Sequence, residues 1–568
     1  MDREFRRRDR VQRHAFMSFG RAYGAALGAD LHQARGGRKK ALVAGIGFVD
    51  GVKVELALIK GLQLAGFEPV VLAWRDPWLV RFYRLAGVRR IVFWDEFLGA
   101  VDHDASTAWL DQHRSFGQLL ALTEGPVRVG RFAASTAFRR LRVGSLELES
   151  KTVRSRVAPF LAEAIAYARA SQRVIRALQP QLAIFADRGY TPHGPLFDAC
   201  VDATIDAITW NAAHKSNSLM LKRYTRENQD EHPASLSPAS WELVQIMAWT
   251  DGHRQRLQQE LSGGYASGDW FSEVGTQFGK RLLDADDLTR RLGLDVRKKT
   301  AVIFPHILWD GTFFWGTDLF GSYEEWFLET VRAACRNDQV NWVIKFHPAN
   351  LVKNARDGVS GAPSEAVALR QHVGRLPSHV CVIPAESEIN TFSLFGLMDY
   401  CVTVRGTIGL EAASFGIPVL TAGTGRYDHK GFTIDSASRE QYVERLASIH
   451  ALPRLTPSQR ELAERYAYGV FVLRPLPWTT IDLEFEQDSR ANLKVRIHAK
   501  TTEDWLNAPD LKAFAQWIDS RQPDLLIAES ASQAPGGGVH VTDADHEGAL
   551  QALGADGLPS ASTPTTDS

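Results

Sequence analysis

The chain is short of cysteine, of long apolar runs and of excess charge, and each shortage removes a class of function. Its 568 residues hold four cysteines, Cys200, Cys335, Cys381 and Cys401, each within an apolar stretch. Their spacing is unpaired and no His-Cys pattern accompanies them, so they describe neither a disulfide scaffold nor a zinc site and read as reduced core thiols. No window reaches the roughly 18 consecutive apolar residues that a membrane span needs, and no apolar signal core opens the chain. A cytoplasmic protein is therefore expected. Lysine plus arginine equals aspartate plus glutamate at 66 each, so no global field points to nucleic acid, and any anionic ligand has to be held by local charges.

What is present is a chain that is 45% hydrophobic, enough for two or three domains at about 100 to 200 residues each. Its first thirteen residues carry Arg3, Arg6, Arg7, Arg8, Arg10 and Arg13 against Asp2, Glu4 and Asp9. These thirteen residues open a basic N-terminal segment, 1–38, and their favoured reading is a frayed, solvated terminus. The alternative is peripheral contact with an anionic inner membrane, at about 1 kcal/mol per nearby basic residue.

From Lys39 the pattern becomes strand, glycine turn, helix: Ala41 to Gly47 is apolar, and Val52 to Ala65 has helical character. Pro69 to Trp74 and Arg90 to Trp94 continue the rhythm, a long helix passes through Val157, Leu161, Ile165 and Ala168, and Gln181 to Ala186 is a further strand. Such alternation predicts parallel sheets with right-handed crossovers. A glycine-containing, then charged, stretch over 262–296 is the expected linker. The rhythm restarts with strands expected at Thr300 to Phe304, Trp342 to Phe346, Val380 to Ile383, Tyr400 to Val404 and Pro418 to Thr421.

Open parallel sheets bind ligands outside the carboxyl ends of their strands, and the loops there are chemically loaded. Arg405, Gly406, Thr407 and Gly409 span the turn into a helix, whose free N-H groups and partial positive charge suit a phosphate that glycine lets come close. Glu411, one turn on, could accept both hydroxyls of a ribose; a tight turn with a solvated Glu411 is the competing reading, at about even odds for so short a motif. Lys345 and His347 leave another strand just before Pro348, where a protonated His347 could assist a departing nucleotide. Phe304-Pro-His306 with Trp309-Asp310, and Gly423-Thr-Gly425 with Arg426 and Tyr427, complete the set. Among acid-base groups the sequence offers Asp187, His193 and Asp310.

Lys345-Phe-His-Pro348, Arg405-Gly-Thr-Ile-Gly-Leu-Glu-Ala-Ala-Ser-Phe-Gly-Ile-Pro-Val419, Gly423 and the run Tyr427 to Thr433 resemble bacterial capsule polysaccharide biosynthesis proteins, including the Kdo-transferring capsule enzymes, within the GT-B glycosyltransferases. The resemblance covers about Thr300 to Leu452; in the first half Arg188-Gly-Tyr-Thr-Pro-His-Gly194 is similar to such proteins. It implies that His347, Thr407 and Glu411 meet the nucleotide part of a nucleotide-sugar donor; the full set expected at the donor is Lys345, His347, Arg405, Gly406, Thr407, Gly409, Glu411, Gly423 and Tyr427, and at the acceptor Arg188, Tyr190 and His193. Relatives often carry a second hydroxyl where Arg405 or Gly406 stands, so the phosphate contacts differ here. CMP-Kdo, UDP-sugars and GDP-sugars all suit such a fold, and similar His-Pro loops occur in polysialyltransferases and teichoic-acid-type polymerases.

The expectation is an α/β protein with two Rossmann-like domains facing across a cleft: 39–261 for the acceptor, 297–452 for the donor, then a mainly helical region over 453–529 and a disordered tail over 530–568. Its activity would be transfer of a sugar from the activated donor to a surface polysaccharide or lipid-linked saccharide, with no cofactor and no DxD-type metal requirement. The alternatives are a sugar-nucleotide 2-epimerase, a polyol-phosphate transferase and a non-catalytic sugar-nucleotide-binding assembly subunit.

Overall fold

A computed structural model describes residues 2–31, 39–271, 275–311, 313–485 and 493–527. The tail expected over 530–568 lies outside the described residues. The first domain is organised on strands β1 (Lys39–Ala44), β2 (Phe67–Ala73), β3 (Arg90–Phe93), β4 (Leu182–Phe185), β5 (Asp206–Ala212) and β6 (Ser218–Tyr224). The second uses β7 (Thr300–Ile303), β8 (Asn341–Lys345), β9 (Val380–Ile383), β10 (Tyr400–Thr403), β11 (Val419–Thr421) and β12 (Ile434–Asp435). The two sheets run β3-β2-β1-β4-β5-β6 and β9-β8-β7-β10-β11-β12. Both therefore have the strand order of a Rossmann fold, which reverses direction between the first and fourth strands of each set.

Burial explains why these segments become central strands. β4 and β7 are buried at every position, so their apolar runs need cover on both faces, as a parallel sheet flanked by helices provides. The second sheet is parallel throughout. In the first, β6 runs antiparallel to β5. The β5–β6 pair had no clear sequence signal because Asp206, Asn211, Lys222 and Arg223 interrupt its apolar pattern; Arg223 is neutralised by Asp206 at 2.6 Å.

After a helix, Pro457–Tyr468, whose Ala463 and Ala467 share a core with Leu410 and Val419 of the second domain, the chain returns to the first domain. It adds β13 (Leu476–Pro477) antiparallel to β6, a hairpin of β14 (Ile481–Phe485) and β15 (Leu493–Ile497), and the helix Pro509–Ser520. Leu511, Phe514, Trp517 and Ile518 share one core with Val43 and Leu56. A Cβ at Gly61 would stand 2.4 Å from Phe514, so the glycine sets how closely that helix can approach. Lys222 and Asp524, both inaccessible, pair at 3.0 Å and fasten the end of the described chain.

Two boundaries differ from those read in the sequence. The N-terminal segment is a helix, Asp2–Leu27, rather than a frayed end: Phe19 and Leu27 are buried, and Phe16 meets Phe82 edge-on at 5.4 Å. The expected linker begins inside the helix Asp251–Ser267, and Leu261, Tyr265 and Trp270 belong to a core that continues into Val302 and Tyr427 of the second domain. Gly264 marks close packing there, since a Cβ on it would lie 2.6 Å from Trp270, whereas one on Gly263 would enter open space.

Candidate functional site

The carboxyl ends of β7, β8 and β10 open onto two adjoining cavities, of about 220 Å3 and about 190 Å3, that share His306 and His347. This is the switch point of the second sheet, where the crevice of such a fold lies. The larger cavity is lined by Lys345, His347, Gly406, Thr407 and Glu411, as expected, and also by Tyr265 and Gln277. The smaller is lined by Arg405 and Asp310 together with Lys353, Arg426 and His232.

Lys345 ends β8 with only 3% of its surface exposed, and its ammonium nitrogen has no hydrogen-bond partner. Burial lowers its pKa to about 7, helped by the like charge of Lys280 and opposed by Glu386. Arg426 is the second cation short of an anion. It donates to Thr407 Oγ1 at 2.7 Å and to the Arg405 carbonyl at 3.2 Å, and burial lowers its pKa. Arg405 is better satisfied, through Asp318 and the Trp315 carbonyl, although its Nε is unpartnered.

The imidazoles are neutral near pH 7. Burial first, then Lys353 and Lys345, lower the His347 pKa to about 4, while burial, His347 and Arg405 take His306 to about 3. The expected protonated His347 is thus not the resting state, because burial and then the surrounding cations oppose it. Its Nδ1 accepts from the Ala349 amide at 3.2 Å, which places the proton on Nε2. His306 stacks on Tyr323 with ring centroids 4.4 Å apart.

Glu411 is 1% exposed and takes the Tyr265 hydroxyl at 2.5 Å. Burial raises its pKa to about 7, against the lowering effect of the Tyr265 bond. It therefore combines a place in the cavity wall with a bond to the helix Asp251–Ser267, which runs into the expected linker.

Gly409, Gly423 and Tyr427 line neither cavity and support the loops from behind. A Cβ at Gly409 would fall 2.2 Å from Tyr427 Oη, and one at Gly423 would lie 2.5 Å from Arg405. Tyr427 donates to the Gly406 carbonyl at 2.6 Å, fixing the turn before Thr407.

In the first domain Tyr190 reaches the second, donating to Asp310 Oδ1 at 3.1 Å. Arg139 and Lys353 also reach Asp310. Lys353 and Arg139 outweigh the effect of burial and hold the Asp310 pKa at about 2. Arg188 is buried at 3% and bonds the carbonyls of Gln229 and Glu231 while stacking between Phe197 and Tyr224, so it braces the fold rather than facing a ligand. Asp187 is exposed and accepts from the Gly189 amide at 2.7 Å. Burial lowers the His193 pKa and the charge of Asp187 partly restores it; its Nε2 is buried without a partner. Neither lines the two cavities, but Asp187 is near enough to act on Arg139 and Tyr190.

Sequence reading passed over Lys353, Arg139, His232 and Tyr265. Lys353 had a signal, since it lies on the helix that starts directly after His347-Pro348; Tyr265 and Arg139 had none, being brought in by tertiary contacts. Among the described residues no three His, Cys, Asp or Glu side chains cluster as metal ligands, and no helix is long and apolar enough to cross a membrane.

No protein-family profile and no curated protein matches the chain. Solved structures with partial likeness include Thermosulfurimonas dismutans KpsC, a beta Kdo 2,4 transferase, at 13% identity over 58% of this chain and 88% of that one, with a TM-score of 0.33. A co-structure of S. aureus MnaA with UDP shows 13% identity over 76% and 94%, TM-score 0.27. The UDP-GlcNAc 2-epimerase of Neisseria meningitidis bound to UDP-GlcNAc shows 10% identity over 76% and 96%, TM-score 0.26. Likeness this low adds nothing to the strand order and the chemistry of the cavities.

Proposed function

We propose that this protein is a glycosyltransferase that moves a sugar from a nucleotide-activated donor to a capsule or other surface polysaccharide or glycolipid. The observation that supports it most is the weakly neutralised positive charge at the switch point: the unpartnered Lys345 nitrogen in one cavity and, in the other, the Arg426 guanidinium, which has no ion pair among the described residues and on which the charge of Glu411 acts. Buried cations without anions are costly, and a nucleotide phosphate would offset both.

In this reading the nucleoside occupies the larger cavity, with Glu411 toward the ribose and Gln277 toward the base. The phosphate lies over the Thr407 helix terminus, between Lys345 and Arg426, and neutral His347 offers it Nε2-H as a donor. The developing charge on the departing phosphate is then met by groups already in place, which is where such sites gain most of their rate. For proton removal from the acceptor hydroxyl the first domain offers Asp187, which is exposed and whose charge acts on the buried His193, since Asp310 is held ionised by three donors and is a weak base.

The test is a melting-temperature screen with CMP, UDP, GDP and CDP, followed by a transfer assay with the matching sugar nucleotides. One nucleotide should raise the melting temperature, and its sugar form should be consumed only with an acceptor. Failure of all four nucleotides to shift the transition would overturn the proposal, and consumption without acceptor would favour a 2-epimerase.

A further inference from the structure

A third cavity, of about 440 Å3, lies between the domains and takes no part in the site described above. Its first-domain wall is Arg142 to Ser145; its second-domain wall includes Trp309, Asn354, Ser360, Ser364 and Gln371. The volume falls within the range of about 300 to 1,000 Å3 usual for small-molecule sites.

The wall from the first domain exists because the helix Val129–Leu141 stops at Arg142, which has a left-handed φ of 52° and turns the chain toward the second domain. The gap there admits no side chain at residue 144, since a Cβ on Gly144 would lie 2.1 Å from Glu324 Oε2.

The lining decides the ligand. Its guanidinium, Arg142, is already committed: it donates to Asn354 Oδ1 at 2.7 Å, pairs with Asp357, and lies 4.4 Å over the Trp309 ring. Glu324 is the carboxylate of the wall, which repels an anionic ligand and can accept from a hydroxyl; burial raises its pKa, against the lowering effects of the Ser145 bond and of His372. Ser145 is bonded to Glu324 and Ser364 donates to Glu365 at 3.0 Å, so the groups left to bond a ligand are the Ser360 hydroxyl and the Gln371 amide, with His372 also in the wall. Such a lining suits neither phosphate nor a nucleotide, and it suits an uncharged polyhydroxyl compound. Trp309 separates this cavity from the smaller cavity of the donor site, with Lys353 lying 5.5 Å over the same ring while it pairs with Asp310.

We propose that this cavity binds uncharged sugar units of the acceptor, set back from the hydroxyl that receives the new sugar; the proposal rests on the glycosyltransferase reading. The experiment uses the full chain, with lactose, maltose and cellobiose as neutral probes, glucuronate as a charged control, and saturation-transfer NMR as the readout. The variants are Ser360→Trp, on an exposed loop, which fills the cavity, and Gln371→Leu, which removes an amide at similar volume. Melting curves establish that each is folded.

Transfer to at least one disaccharide, weaker or absent with glucuronate, is expected in the wild type, lost in Ser360→Trp and reduced in Gln371→Leu. Nucleotide affinity, measured by calorimetry on the same samples, should be the same in all three. The proposal is overturned if no disaccharide shows transfer, if transfer survives Ser360→Trp, or if glucuronate is preferred. Absence of nucleotide binding in the wild type would instead overturn the glycosyltransferase reading, so the two failures are told apart.

Discussion

Tyr190, on the loop after β4 in the first domain, donates its hydroxyl at 3.1 Å to Oδ1 of Asp310, on the loop after β7 in the second. Arg139 reaches the same oxygen and Lys353 the other. One carboxylate thereby fixes how the two switch points face each other. Asp310→Asn should leave the fold intact and remove the two ion pairs. Because the Asp310 side chain is 24% exposed, the cost should be modest, about 1 to 3 kcal/mol, read as a lowered melting temperature with nucleotide affinity little changed. A variant that keeps its melting temperature and loses turnover would place Asp310 in the chemistry instead.

Lys345 makes nucleotide affinity depend on pH. Its pKa is lowered to about 7, so in the free protein the ammonium is lost as pH rises through that value, whereas a bound phosphate needs it charged. Affinity should fall between about pH 7 and pH 9 by up to about tenfold per unit. The same depressed pKa implies that, without ligand, the stability contributed by the neutral amine is lost as pH falls from about 10.5 toward about 7. Calorimetric titrations of Lys345→Gln should show a flatter profile; an unchanged slope would assign the dependence to Glu411, which titrates in the same window.

Glu411→Ala tests the ribose contact. A charged hydrogen bond contributes about 1.5 to 3 kcal/mol, or roughly a ten- to hundredfold loss in affinity. Because Glu411 also accepts from Tyr265, the melting temperature should fall as well. Glu411→Gln, which retains an acceptor for Tyr265, should recover stability more than affinity. Unchanged nucleotide binding in folded Glu411→Ala would remove this residue from the donor site.

Activity should persist in EDTA, since Lys345, Arg405, Arg426 and the N-H groups before Ile408 can meet the phosphate charge. Complete loss in EDTA, reversed by magnesium or manganese, would contradict this.

Glu55 is a separate pH-sensitive feature of the first domain. It is buried, accepts the Tyr83 hydroxyl at 2.5 Å and has its pKa raised by burial to about 8. A carboxyl whose folded pKa lies above its unfolded value of 4.5 contributes stability that is full below the lower value and lost as pH rises through the higher. Between about pH 5 and about pH 8 the wild-type melting temperature should therefore fall more steeply than that of Glu55→Gln. Parallel curves for the two proteins would show that Glu55 is ionised throughout.

The sequence by itself determined the alternation of strands and helices, because parallel central strands must be apolar on both faces, and β1, β4, β7 and β8 are written as such runs. It also placed Lys345 at the end of a strand, and His347, Arg405, Thr407 and Glu411 in the loops and the first helical turns that follow strands, where the crevice of an open sheet lies. It did not show β5 and β6, whose polar residues are neutralised only by partners distant in the chain, such as Asp524 for Lys222. Nor did it separate Gly406, which lines the cavity, from Gly409 and Gly423, which fit against Tyr427 and Arg405. Tyr265 at Glu411, Arg139 at Asp310 and Arg142 over Trp309 join residues more than 140 positions apart. Such pairings depend on how two domains and a returning C-terminal helix pack, and a local pattern of residue types carries no record of that packing.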